Sequence, residues 1–145
     1  LIEKSKDIRF DIFGINKVQP IWADQYFKTI SNSKMGLNLS RGFPIKYYSS
    51  DRITQITGNG LVTLIDEKTG YRDFFSDKEM VFYKNLSDLS EKISKISQDE
   101  KLRRTIGKNG KDKYIKYFNS TLVADFIINK SFDINKKNYY LWHNT

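Results

Sequence analysis

Ser49-Ser50-Asp51-Arg52-Ile53-Thr54-Gln55-Ile56-Thr57-Gly58-Asn59-Gly60-Leu61-Val62-Thr63-Leu64-Ile65 reads as a helix, its stop and a strand in unbroken succession. Ser49, Ser50 and Asp51 are residue types that cap helix N-termini. Ile53, Ile56 and Thr57 fall on one helical face, and Gly58-Asn59-Gly60 ends the helix. Leu61 to Ile65 is a short, continuous apolar and β-branched run, as expected of a strand covered on both faces. Just upstream, Met35-Gly36-Leu37-Asn38-Leu39-Ser40 reads as another strand, stopped by Arg41-Gly42-Phe43-Pro44. Strand, helix, strand is the unit from which parallel sheets are built.

Working outward, Ile8, Phe10 and Ile12 alternate with Arg9 and Asp11, which predicts a first strand turning at Phe13-Gly14. Trp22 to Ser33 carries Trp22, Tyr26, Phe27 and Ile30 at helical spacing, after a restrictive Pro20. Met80 to Tyr83 predicts a short strand. Leu86 to Ser97 predicts an amphipathic helix capped by Ser87, with Glu91 near its start. Glu100 to Phe118 predicts a helix broken or bent near Gly107 and Gly110, and Ser120 or Thr121 is expected to cap a last one. The order implies an α/β fold with a mostly parallel sheet and a helical C-terminus. One domain is expected over 1–134, followed by a polar tail over 135–145. Ligands of such sheets sit beyond the carboxyl ends of the strands, which directs attention to 14–19, 40–51 and 66–75.

The chain has 145 residues, 39% hydrophobic and 14% aromatic, enough apolar material for one core. No apolar run approaches the roughly 18 residues that cross a bilayer. With no cysteine and one histidine, His143, in a polar tail, thiolate and histidine metal clusters are excluded, a Ser-His-Asp triad is not expected, and no metal is expected. The lack of cysteine fits a reducing, cytoplasmic setting. The chain opens on Leu1 with no signal-peptide pattern, and is expected to be a cut domain.

The net charge is +8, and Lys101 to Lys116 holds seven cations against Asp112 alone. That stretch is open to two readings, a nucleic-acid face or a solvated helix surface. Nineteen of the 25 cations are lysines, whereas groove readers rely on arginine, so the second reading is favoured.

The loop ending at Ser49-Ser50-Asp51-Arg52 has the outline of a phosphate site, because free N–H groups and a bidentate arginine both suit an anion. An ordinary capped loop with Arg52 paired to Asp51 or another carboxylate is the competing account. Neither GxGxxG nor GxxxxGK[ST] occurs. Asp66 and Glu67 could meet hydroxyls of a ligand, with a capped turn through Lys68-Thr69-Gly70 the favoured alternative. The aromatic residues from Tyr71 to Phe82 are expected to be core.

Ser33 to Arg41, Ser49 to Leu61, Tyr71 to Phe75, Glu79-Met80-Val81-Phe82-Tyr83 and Leu86-Ser87-Asp88-Leu89 together resemble the carboxy-terminal half of group 1 glycosyltransferases of the GT-B fold. The similarity is greatest to the spore-maturation-type subgroup. Ile106-Gly107-xx-Gly110 and Tyr117-Phe118-Asn119-Ser120 match as well. The resemblance implies a Rossmann-like domain that binds a nucleoside-diphosphate sugar. Acceptor and catalytic base would belong to an amino-terminal half outside this chain, so the isolated domain is expected to bind without turnover. It further implies no obligatory metal or cofactor, and allows peripheral membrane association. By matching positions, Ser40, Arg41 and Gly42 lie near the donor, with Ser49 in the same loop and Arg52 facing the diphosphate. Gln55 stands where many relatives carry a ribose-binding glutamate, and is open to that role or to a solvent-facing one. Gly14 and Asn16 resemble a glycine turn beside the donor, or simply reverse the chain.

Overall fold

The computed structural model describes residues 8–39, 42–134 and 140–142. Helix α1 spans Ala23–Asn32 and leads into strand β1, Met35–Asn38. Helix α2, Arg52–Gly58, connects it to β2, Val62–Asp66. Two single-turn 3-10 helices, Glu67–Thr69 and Tyr71–Asp73, lie in the crossover to β3, Val81–Tyr83. Helices α3 (Leu86–Gln98), α4 (Glu100–Tyr117) and α5 (Ser120–Ser131) complete the chain order.

The three strands form one parallel sheet in the order β1-β2-β3, with Leu37 opposite Leu64 and Leu64 opposite Val81. Side chains alternate across it with the period of two that a pleat imposes. Val62, Leu64, Val81 and Tyr83 join Leu89, Ile93, Ile96 and Ile106 on one face. Ile65 and Phe82 join Ile53, Phe74, Phe75 and Met80 on the other. Covering both faces is what a parallel sheet requires, and it explains the unbroken apolar run of β2. The arrangement is Rossmann-like α/β, as the order of elements predicts. The aromatic residues Phe74, Phe75 and Phe82 are core, with Phe75 stacked on Phe118.

Several local expectations are corrected. Residues 8–13 form no strand; Ile8 and Phe10 pack against the sheet without pairing to it. Their alternation reports a buried side, which a pinned coil satisfies as well as a ladder does. Helix α4 runs without a break through Gly107 and Gly110. A Cβ at Gly107 would strike the Gly60 carbonyl, and one at Gly110 the Glu79 carbonyl, so both glycines permit close approach. Asn85, one position before the predicted helix, caps α3 through Asp88 N–H, and Asn119 caps α5 through Leu122 N–H. At the far end Tyr140 is buried, its hydroxyl 2.6 Å from Asp125 Oδ2 and 2.8 Å from Asn129 Nδ2.

Candidate functional site

The sheet's carboxyl edge gathers the residues of interest. Asn38 ends β1 and is only 3% exposed. Its Nδ2 donates to Ser49 Oγ at 3.3 Å, and Ser49 Oγ donates onward to the Ser50 carbonyl at 3.1 Å. Ser49 lies beside Tyr71, whose phenol is pushed up chiefly by burial, with the neighbouring Ser49 opposing it. Ser49 therefore stands between the end of β1 and the segment that follows β2.

Arg52 opens α2, and its Nη1 donates to the Leu39 carbonyl, one residue beyond β1. Arg52 is exposed, and among the described residues it forms no ion pair with Asp51 or another carboxylate. Asp51 holds the N-cap position of α2 in helical backbone geometry, and its side chain accepts no cap hydrogen bond. Tyr26 of α1 lies alongside. Burial raises its phenol, Asp51 adds to that and Arg52 opposes it, which places the ring within the electrostatic reach of both. Gln55 is half-buried one turn further on, and its side-chain amide is unengaged among the described residues.

Gly42 has φ +75° and open space around it. Ser40 and Arg41 lie outside the described residues. Gly14 (φ +76°) and Asn16 (φ 52°) form a tight reversal closed by Gly14 N–H to Val18 O at 3.1 Å. Among the described residues no hydrogen bond joins that reversal to Ser49, Arg52 or Gln55. Asp66 caps its own turn, Oδ1 accepting from Lys68 N–H at 2.9 Å.

Residues not singled out by sequence complete the same edge. Tyr47 adopts φ 61°, an uncommon conformation for an aromatic residue. Its N–H donates to the Thr69 carbonyl at 2.8 Å and its hydroxyl donates to Asp73 Oδ2 at 2.5 Å. Lys46 Nζ stands 4.6 Å from the Tyr47 ring centroid and 3.9 Å from Asp73. The β1–α2 loop is thus clamped to the β2–β3 crossover. The one signal in the sequence that could have pointed to this region is the polar Asn38 at the end of an otherwise apolar strand.

The basic stretch is largely spoken for within the fold. Arg103 is 9% exposed and donates to the Ile96 and Ser97 carbonyls, closing the C-terminus of α3. Arg104 pairs with Glu100, Lys108 with Asp112 and Lys113 with Glu79. Among the described residues no cluster of acidic or histidine side chains suits a metal ion, and no helix is long and apolar enough to cross a membrane.

Residues 1–129 match the model of the glycosyl transferase-like family, and the chain belongs to that family. No curated protein and no solved structure matches it.

Proposed function

We propose that this glycosyl transferase-like chain is the donor-binding part of a GT-B enzyme, holding a nucleoside-diphosphate sugar at the carboxyl edge of β1 and β2 for transfer to an acceptor bound elsewhere. The observation that carries the reading is the exposed Arg52 guanidinium, anchored to the Leu39 carbonyl where β1 ends. Parallel α/β sheets bind ligands at that edge, and a planar guanidinium suits phosphate oxygens. Transfer leaves a diphosphate whose growing negative charge must be stabilised, and a fixed cation beside it does so without reorganisation. Ser49, Gly42 and Gln55 surround the same loop and helix, and Ser40 and Arg41 belong to it by sequence. The acceptor, the base and the spore-maturation subgroup remain parts of the proposal that the resemblance supports. A cytoplasmic setting goes with it, because nucleotide sugars are drawn from that pool.

Thermal shift checks the reading directly, since a ligand that binds only the folded state raises the melting temperature. Uridine, guanosine and adenosine diphosphates should be compared with their monophosphates. One diphosphate should shift melting more than its monophosphate; identical, zero shifts throughout would refute the reading.

A further inference from the structure

Two buried polar atoms at the edge of β1 have no hydrogen-bond partner among the described residues: Asn38 Oδ1 and Ser50 Oγ. Asn38 is otherwise placed with care, at the end of a strand, 3% exposed, with its Nδ2 spent on Ser49. Ser50 offers its carbonyl to Ser49 Oγ and to Ile53 N–H while its own hydroxyl stays idle. An unsatisfied buried polar group is costly, and native proteins keep few of them. Two such atoms in one loop, beside the anchored Arg52, describe a site whose polar partners arrive with a ligand.

The two atoms differ in what they accept. A carbonyl-type Oδ1 can only accept, so it calls for an O–H or N–H on the ligand and is useless to a phosphate. A serine hydroxyl can donate to a phosphate oxygen or accept from a hydroxyl. From this geometry we infer that Asn38 is a specificity residue that reads a hydroxyl of the bound donor, with Ser50 as a second polar contact. The assignment rests on the donor reading above and adds to it a residue and the group that it recognises. The hydroxyl belongs either to the ribose or to the transferred sugar.

The test uses Asn38→Leu, which keeps the branched outline and removes the amide together with its bond to Ser49, and Ser50→Ala, which removes only a hydroxyl that has no partner among the described residues. Both are titrated calorimetrically with UDP-glucose, GDP-mannose and ADP-glucose, and with the matching free diphosphates, beside the unaltered protein. Each variant should weaken the nucleotide sugar by about tenfold, as expected for one lost neutral hydrogen bond at a buried site. Melting of unliganded Ser50→Ala should be unchanged or higher, because only an orphaned hydroxyl is removed, whereas Asn38→Leu also loses the Nδ2 bond to Ser49 and should melt slightly lower, so its affinity is the readout. A merely structural asparagine would give lower melting with affinity intact. If the loss persists with the free diphosphate, the hydroxyl is the ribose's; if it vanishes, it is the sugar's. Equal affinity of the unaltered protein and both variants overturns the assignment while the donor reading stands. No binding by the unaltered protein overturns both. Should Asn38→Leu fail to fold, Ser50→Ala alone decides, since its removal disturbs no hydrogen bond among the described residues.

Discussion

Arg52 Nη1 donates to the Leu39 carbonyl, so one guanidinium spans from the first turn of α2 to the end of β1. That bond uses part of a five-donor fork and leaves the rest facing solvent. Arg52→Ala should raise the dissociation constant for a nucleoside diphosphate roughly ten- to a hundredfold, the equivalent of about 1.5 to 3 kcal/mol for a charge-assisted contact. Melting should fall only slightly, as the Leu39 contact is exposed. Arg52→Lys should recover part of the affinity, since an ammonium lacks the planar fork. Lower melting with unchanged affinity would assign Arg52 to loop support alone.

Thr57 and Thr63 are both fully buried, and their hydroxyls meet at 2.7 Å between α2 and β2. Thr57→Val should cost about 1 to 3 kcal/mol, because it strands the Thr63 hydroxyl away from water. The double variant Thr57→Val/Thr63→Val should be close to neutral, as both partners vanish together. Denaturant unfolding of the two single variants and the double gives a coupling energy, and additive losses would show that the pair is not coupled.

Gly107 faces the Gly60 backbone across the contact between α4 and the turn before β2. In an unconstrained helix Gly→Ala would stabilise by about 1 kcal/mol. Here the methyl meets a backbone oxygen that cannot rotate aside, so overpacking of about 1 to 3 kcal/mol should prevail and lower the melting temperature. A rise in melting would show that α4 can move away without loss.

The readable part of the fold was the part that local rules govern. β1, α2 and β2 follow from side-chain period and from the Gly58-Asn59-Gly60 stop, and all appear within a residue or two of expectation. Residues 8–13 misled because alternation records burial, whereas strand identity depends on a partner elsewhere in the chain. Gly107 and Gly110 misled for a related reason: glycine weakens an isolated helix, but close packing can require it. In the candidate site, the sequence placed Arg52 in the first turn of α2, where it lies, but its cap pattern did not hold, since no side chain caps that helix. Tyr47, Asp73 and the idle Asn38 oxygen were not legible, since each acquires meaning only when the β1–α2 loop meets the β2–β3 crossover.

Glu79 predicts how the fold responds to acid. Burial by itself would raise its carboxyl, but the Ser76 hydroxyl and N–H, 2.6 and 2.7 Å from Oε2, together with Lys113, outweigh it and hold the group below its ordinary 4.5. A lowered folded value means that the stabilisation is present above the unfolded value and is lost as pH falls through the folded one. Glu79→Gln should therefore flatten the loss of stability below about pH 4.5. Asp88 and Glu100 are lowered too, chiefly by hydrogen bonds from Lys92 and Arg104, so the acid limb should soften without disappearing. Unfolding free energy measured from pH 3 to 7, about the span over which carboxylates titrate, checks this, and superimposable curves would contradict it.

The donor claim is tested most directly by isothermal titration of this chain with UDP-, GDP- and ADP-linked sugars at low ionic strength. The account predicts saturable one-site binding of at least one of them, weakened in Arg52→Ala. Absence of heat with all of them, in protein shown to be folded by its melting transition, would contradict it.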